Sequence, residues 1–194
     1  MVEALKHGGV ANHAKVNIKW VDSEHVTEAN APQVFHDVKG ILVPGGFGDR
    51  GIDGKIYAIQ YAREHGIPFL GLCLGMQLSI VEFSRNVIGL RDAHSVELDP
   101  STTHPVIHLM PEQDGVEDIG GTLRLGSYPC VLDRSSMAYG LYQEETIHER
   151  HRHRYEVNND YRGLLTKNGM KLSGLSPDGR IVDCLLYTSD AADE

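Results

Sequence analysis

The sequence predicts an α/β fold, a three-layer arrangement in which a mostly parallel sheet carries helices on both faces. Three observations carry that expectation. Short apolar runs at 38–43 and 67–72 each lead into a glycine-bearing turn, as strands of a parallel sheet do. Each run is followed by a segment with apolar residues at helical spacing. A strand–helix–strand–helix rhythm of this kind closes into parallel pairs. The third is size: 194 residues, 41% hydrophobic and 23% charged, suffice for one globular domain with a substantial core.

Taken in order, residues 2–7 read as the end of a helix stopped by Gly8 and Gly9. From Lys15 to Val21 polar and apolar residues alternate, the pattern of a half-exposed strand. Ile41-Leu42-Val43 then enters Pro44-Gly45-Gly46-Phe47-Gly48, a strand ending in a glycine-rich turn. Asp53 is placed to cap a helix reaching about His65, with Ile56, Ile59 and Ala62 on its apolar face and Gly66 as its stop. The run 67–72 suits a strand buried on both faces, and a second helix follows from about Leu74 to Arg85. From Gly121 onward the pattern turns to strand-like pieces at 122–125, 145–157 and 172–175. Ile181-Val182-Asp183 opens one more strand. The pattern is lost from Cys184, so 1–183 read as one domain and 184–194 as an acidic, unstructured tail. There is no internal repeat, low-complexity block or linker.

Bulk properties narrow the function. A net charge of −9 and a pI near 5.6 argue against nucleic acid or an anionic membrane as partner. No apolar run approaches the roughly 18 residues that span a bilayer, and the N-terminal residues lack the blocks of a signal peptide. The three cysteines, Cys73, Cys130 and Cys184, form no CxxC pair, so neither a disulfide scaffold nor a structural zinc site is expected. The cytoplasm is the expected compartment.

Chemistry concentrates at Gly71-Leu72-Cys73-Leu74-Gly75, between the apolar strand and the second helix. This is the thiol counterpart of the Gly-x-Ser-x-Gly nucleophile elbow. Such a turn leaves no room for side chains two residues either side of the nucleophile. The helix N-terminus behind it is expected to favour the thiolate. A small buried core cysteine among incidental glycines is the plainer alternative, and the strand–turn–helix context weighs against it.

Gly46-Phe47-Gly48-Asp49-Arg50-Gly51 matches the dinucleotide pattern Gly-x-Gly-x-x-Gly. That reading needs an acidic residue about 20 positions on, at the end of the next strand; Leu72 and Cys73 stand there instead. No Gly-Lys-Ser/Thr follows, so it is not a phosphate loop either. What remains is a turn that exposes backbone N–H groups beside the elbow, the place for an oxyanion hole. His148, His151 and His153 alternate with charged residues and lack companion ligands at metal spacing. They read as a polar surface, or as a face toward another domain.

Together the strings EALKHGG (3–9), ILVPGGFGDRG (41–51), IPFLGLCLGMQ (67–77), GGTLRLG (120–126) and ERHRHRYEVNN (149–159) resemble the CTP synthase family over about residues 1–183. The Gly-x-Cys-x-Gly elbow alone marks class I glutamine amidotransferases, a flavodoxin-like fold; PGGFG with RHRHRYEVN narrows it to CTP synthases. The resemblance implies a glutaminase domain that takes L-glutamine and passes ammonia to a synthetase domain of the same longer chain. There UTP is aminated to CTP with ATP and Mg2+, commonly in a homo-oligomer, and the glutaminase domain itself needs no cofactor. It further implies Cys73 as nucleophile and Gly46 and Leu74 as oxyanion donors. Gly75, Met76, Gln77, Glu97 and Arg154 would bind the substrate. An acidic partner for the ammonium and a basic one for the carboxylate suit a zwitterionic amino acid.

Against that pattern the synthetase domain, the first strand of the amidotransferase sheet and the C-terminal His-Pro-Glu of the family are missing, and the last histidine is His153. The fold is therefore expected to be incomplete, and this chain by itself is expected to be inactive. Other readings are a related cysteine hydrolase such as a γ-glutamyl hydrolase, a glutamine-binding or interaction module without turnover, and a flavodoxin-like cofactor binder.

Overall fold

A computed structural model describes residues 1–109 and 124–186. Its elements are α1 (Val2–Ala11), α2 (Ala31–Phe35), β1 (Ile41–Val43), α3 (Ile52–Glu64), β2 (Phe69–Gly71) and α4 (Leu74–Phe83). There follow β3 (His94–Ser95), β4 (Pro105–Leu109), β5 (Arg124–Leu132), α5 (Met137–Tyr142) and β6 (Thr146–His153). Last come β7 (Tyr155–Val157), α6 (Arg162–Lys167), β8 (Lys171–Leu175) and β9 (Val182–Leu186).

The βαβ rhythm produces the parallel pairing it predicts. β1 and β2 run parallel, Ile41 opposite Phe69 and Val43 opposite Gly71, with α3 as the crossover. β3 and β4 are also parallel, and β7 joins β4 antiparallel. The remaining strands form an antiparallel sheet in the order β6-β5-β8-β9. Short connections produce that change, because only antiparallel neighbours can be joined without a long crossover. The main core gathers on α3 and α4, where Leu78, Ile80, Val81 and Phe83 are almost wholly buried. A smaller cluster of Cys130, Leu132, Ala138 and Ile147 lies within the antiparallel sheet.

Several expectations from the sequence need correction. α1 does not stop at Gly8; it runs to Ala11 and ends at Asn12, whose side-chain amide donates to the Gly8 carbonyl at 2.8 Å. Residues 15–21 form no strand, since alternation specifies an extended chain but a ladder also needs a neighbour. The cap of α3 is Gly51, at φ 63°, while Asp53 stands in the first turn, where its charge complements the helix dipole. β2 is not buried on both faces, because Leu70 is 51% exposed. α4 gives way to a π-helical turn over Ser84–Ile88. The expected piece at 122–125 begins outside the described residues and continues as β5. The unstructured tail expected from Cys184 fails for 184–186, which pair with β8 as part of β9; 187–194 lie outside the described residues.

Candidate active site

Cys73 joins β2 to α4 at φ 55° and ψ −109°, a conformation that residues with a Cβ seldom adopt. Its neighbours make the turn possible. A Cβ on Gly75 would overlap the carbonyl oxygen of Val43, and one on Gly71 would stand 2.6 Å from the Gly75 carbonyl. The elbow therefore packs against β1 through glycine backbone, as the sequence pattern implied. Strain of this kind typically costs about 1–3 kcal/mol and persists where the surroundings over-determine it.

The glycine turn after β1 lies against Cys73. A Cβ on Gly45 would stand 3.2 Å from Cys73 Cβ, whereas one on Gly46 would meet only Leu74 Cδ2, at 3.6 Å. The close approach thus belongs to Gly45, which the sequence did not single out. Gly46 contributes its backbone. Its N–H and that of Leu74 both favour the Cys73 thiolate.

Burial pushes the Cys73 thiol above its ordinary range, and Glu156 and Glu97 push it the same way, against the two N–H groups. The first N–H of α4 does favour the thiolate, as the sequence implied, but desolvation and the Glu156 and Glu97 carboxyls outweigh it. Among the described residues, no histidine hydrogen-bonds Cys73.

The other anticipated residues fall into two groups. Leu74, Gly75 and Gln77 are buried in the first turn of α4, and Met76 packs partly buried against the core. Gln77 Nε2 donates to the Tyr155 carbonyl at 2.8 Å, which ties the elbow helix to β7. Glu97 and Arg154 form the second group. Burial pushes the Glu97 carboxyl up while the Arg154 guanidinium pulls it back. Arg154 Nε is buried without a hydrogen-bond partner among the described residues.

The histidine triplet divides. His148 is exposed, but His151 is buried and His153 half-buried, so a polar surface is the wrong description of the last two. They face a cluster that the sequence reading missed: Arg124, Glu156 and Asp183. Its one sequence signal is Glu156 between Tyr155 and Val157, a charge inside an otherwise apolar strand.

The class I glutamine amidotransferase family model matches residues 1–188, beyond Asp183, where resemblance was expected to end. A CTP synthase of Geobacillus kaustophilus is 57% identical over 185 residues, 95% of this chain and 35% of that protein. Another, of Halalkalibacterium halodurans, is 60% identical over 183 residues, 94% of this chain and 34% of that protein. The chain thus spans about a third of the length of the curated relatives it matches. A solved glutaminase domain of Trypanosoma brucei CTPS with bound acivicin superposes with a TM-score of 0.88 at 36% identity. That match covers 95% of this chain and 72% of the other. No described helix is long and apolar enough to cross a membrane. With its thiol elbow and facing backbone donors, the chain belongs to the class I glutamine amidotransferase family, and its similarity runs to the glutaminase domains of CTP synthases.

Proposed function

We propose that this chain is the glutamine-hydrolysing part of a CTP synthase, releasing ammonia from L-glutamine. In the longer protein a synthetase domain would use that ammonia, with ATP and Mg2+, to aminate UTP to CTP. The observation that carries the reading is the strained elbow that seats Cys73 between Gly71 and Gly75 against the glycine turn after β1, where the Leu74 and Gly46 N–H groups favour its thiolate. The Cys73 sulfur adds to the side-chain amide carbon, and the two N–H groups hold the resulting oxyanion. The C–N bond breaks, ammonia leaves with a proton, and water then cleaves the thioester to glutamate. Glu97 receives the substrate ammonium and Arg154 its carboxylate, while Gly75, Met76 and Gln77 line the floor.

A thiol held above its ordinary range needs a base to give up its proton. His153 is a poor candidate. Burial, then His151 and Arg124, hold it down at about 4, and its Nδ1 faces Glu156 at 3.6 Å. Substrate binding without appreciable turnover is the outcome this favours for the chain by itself, because loss of a base typically costs several orders of magnitude in rate. The test combines mass mapping after acivicin treatment with a coupled glutamate assay on the purified chain. Cys73 is expected to carry the label while the assay stays near its blank. Vigorous turnover lost in His153→Ala would show that the base has been misassigned. Saturable labelling of Cys130 instead of Cys73 would sink the proposal.

A further inference from the structure

Among the described residues lies a ring of buried polar side chains to which the proposed cleavage steps assign no part. Arg124 on β5 grips Asp183 on β9 with both Nη atoms, Nη2 to Oδ2 at 3.1 Å. Its Nη1 also stands 3.8 Å from Glu156 Oε1 on β7, which lies 3.6 Å from His153 Nδ1 on β6. The Nδ1 atoms of His153 and His151 are 3.3 Å apart. His151 Nε2, 3.8 Å from Asp183 Oδ1, closes the ring. These side chains are between 3% and 15% exposed. They come from four strands belonging to two sheets.

The ring is not there for stability alone. Glu156 Oε1 and His151 Nε2 are buried without hydrogen bonds, and unsatisfied buried groups of this kind are destabilising. Its placement gives another reason for it. Arg154 occupies the bend between β6 and β7, with ring members His153 and Glu156 on either side of it in sequence. The next carbonyl, that of Tyr155, accepts from Gln77 on the elbow helix. Arg154 thus lies between ring members on a segment that the elbow helix holds by hydrogen bond.

We propose that Glu156 and Arg124 are positioning residues of the Cys73 site: the ring fixes the β6–β7 bend, and with it Arg154, against the elbow helix. This rests on the reading of Arg154 as the group that receives the substrate carboxylate. The groups facing Glu156 are Arg124 from β5, His153 from β6, Asp183 from β9 and Cys73 from the elbow, with His108 opposite it on β4. Burial pushes the Glu156 carboxyl up to about 8, so it is ionised over the alkaline range in which Cys73 titrates.

The test uses the chain as it stands, Glu156→Gln and Arg124→Lys, and two thiol reagents. Acivicin reports the glutamine site; iodoacetamide reports the Cys73 thiolate whether or not the chain handles glutamine. In Glu156→Gln the half-saturating acivicin concentration is expected to rise about tenfold, as for a misplaced binding group, without slower iodoacetamide labelling. The midpoint of the iodoacetamide pH profile is expected to fall by roughly half a unit, because a facing carboxylate has gone. Arg124→Lys keeps the charge but loses the fork, and is expected to weaken acivicin binding while moving the midpoint less. A folded Glu156→Gln with unchanged half-saturation and midpoint overturns the proposal, as does equal slowing with both reagents. If Glu156→Gln does not fold, Glu156→Asp, which withdraws the carboxylate by one methylene, is read in the same way. Failure of acivicin to saturate the parent chain would instead defeat the glutamine reading. The positioning proposal, which rests on that reading, would fall with it.

Discussion

Among single residues, the three thiols differ by environment rather than chemistry. Cys130 is 1% exposed, and burial, followed by Asp183 and Cys184, pushes it up to about 12. Burial also pushes Cys184 up, and the Ser173 hydroxyl donates to its sulfur at 3.3 Å. Cys73 is raised too, but the Leu74 and Gly46 N–H groups pull it back toward the thiolate. In the folded chain iodoacetamide is expected to label Cys73 well before the other two, with peptide mapping as the readout. Equal labelling of all three would mean that the elbow confers no reactivity. The elbow was legible in the sequence because its requirement is local: Gly71, Cys73 and Gly75 are separated by single residues. The raised thiol was not legible, since Glu156 approaches from a distant strand.

Across the strand–turn–helix unit, the glycines should not behave alike. Gly75→Ala drives a methyl into the Val43 carbonyl and is expected to cost at least the 1–3 kcal/mol typical of overpacking, measured as a fall in Tm. Gly46→Ala meets only Leu74 Cδ2, at 3.6 Å, with no positive φ to strain it, and is expected to leave Tm nearly unchanged. Gly45→Ala crowds Cys73 Cβ and should slow labelling more than it lowers Tm. The strained backbone at φ 55° gives a further comparison. Cys73→Gly is expected to melt above Cys73→Ala by an amount equivalent to about 1 kcal/mol, because glycine accepts that conformation freely. The same melting temperature for both would mean that the turn stores no strain.

For the molecule as a whole, the ring makes stability depend on pH from both sides. Burial raises the folded Glu156 carboxyl from an ordinary 4.5 to about 8. Between those values the unfolded chain ionises while the folded chain stays protonated, so the stabilising contribution present below 4.5 is lost as pH rises through 8. His153 runs the other way. Burial holds it at about 4 against an ordinary 6.5, so its contribution is present above 6.5 and lost as pH falls through 4. Urea unfolding across pH is expected to show declines toward both acid and alkali, with Glu156→Gln flattening the alkaline limb. An unchanged alkaline limb in that variant would mean that Glu156 ionises freely in the folded chain.

By itself the sequence determined the strand–turn–helix unit at Cys73, the parallel pairing of its two short strands and the family, because close steric demands and helical spacing operate over a few residues. Only the tertiary structure decided which charges are buried. Arg124 meets Asp183 across 59 positions, and the antiparallel register sets Arg124 opposite His153. Sequence alternation at 148, 151 and 153 looked like a solvated face, yet β6 turns His151 and His153 inward to the ring while His148 stays outside. Residues 15–21 and Leu70 teach the complementary lesson. An apolar or alternating run specifies an extended backbone, but pairing and burial depend on which other segments lie against it.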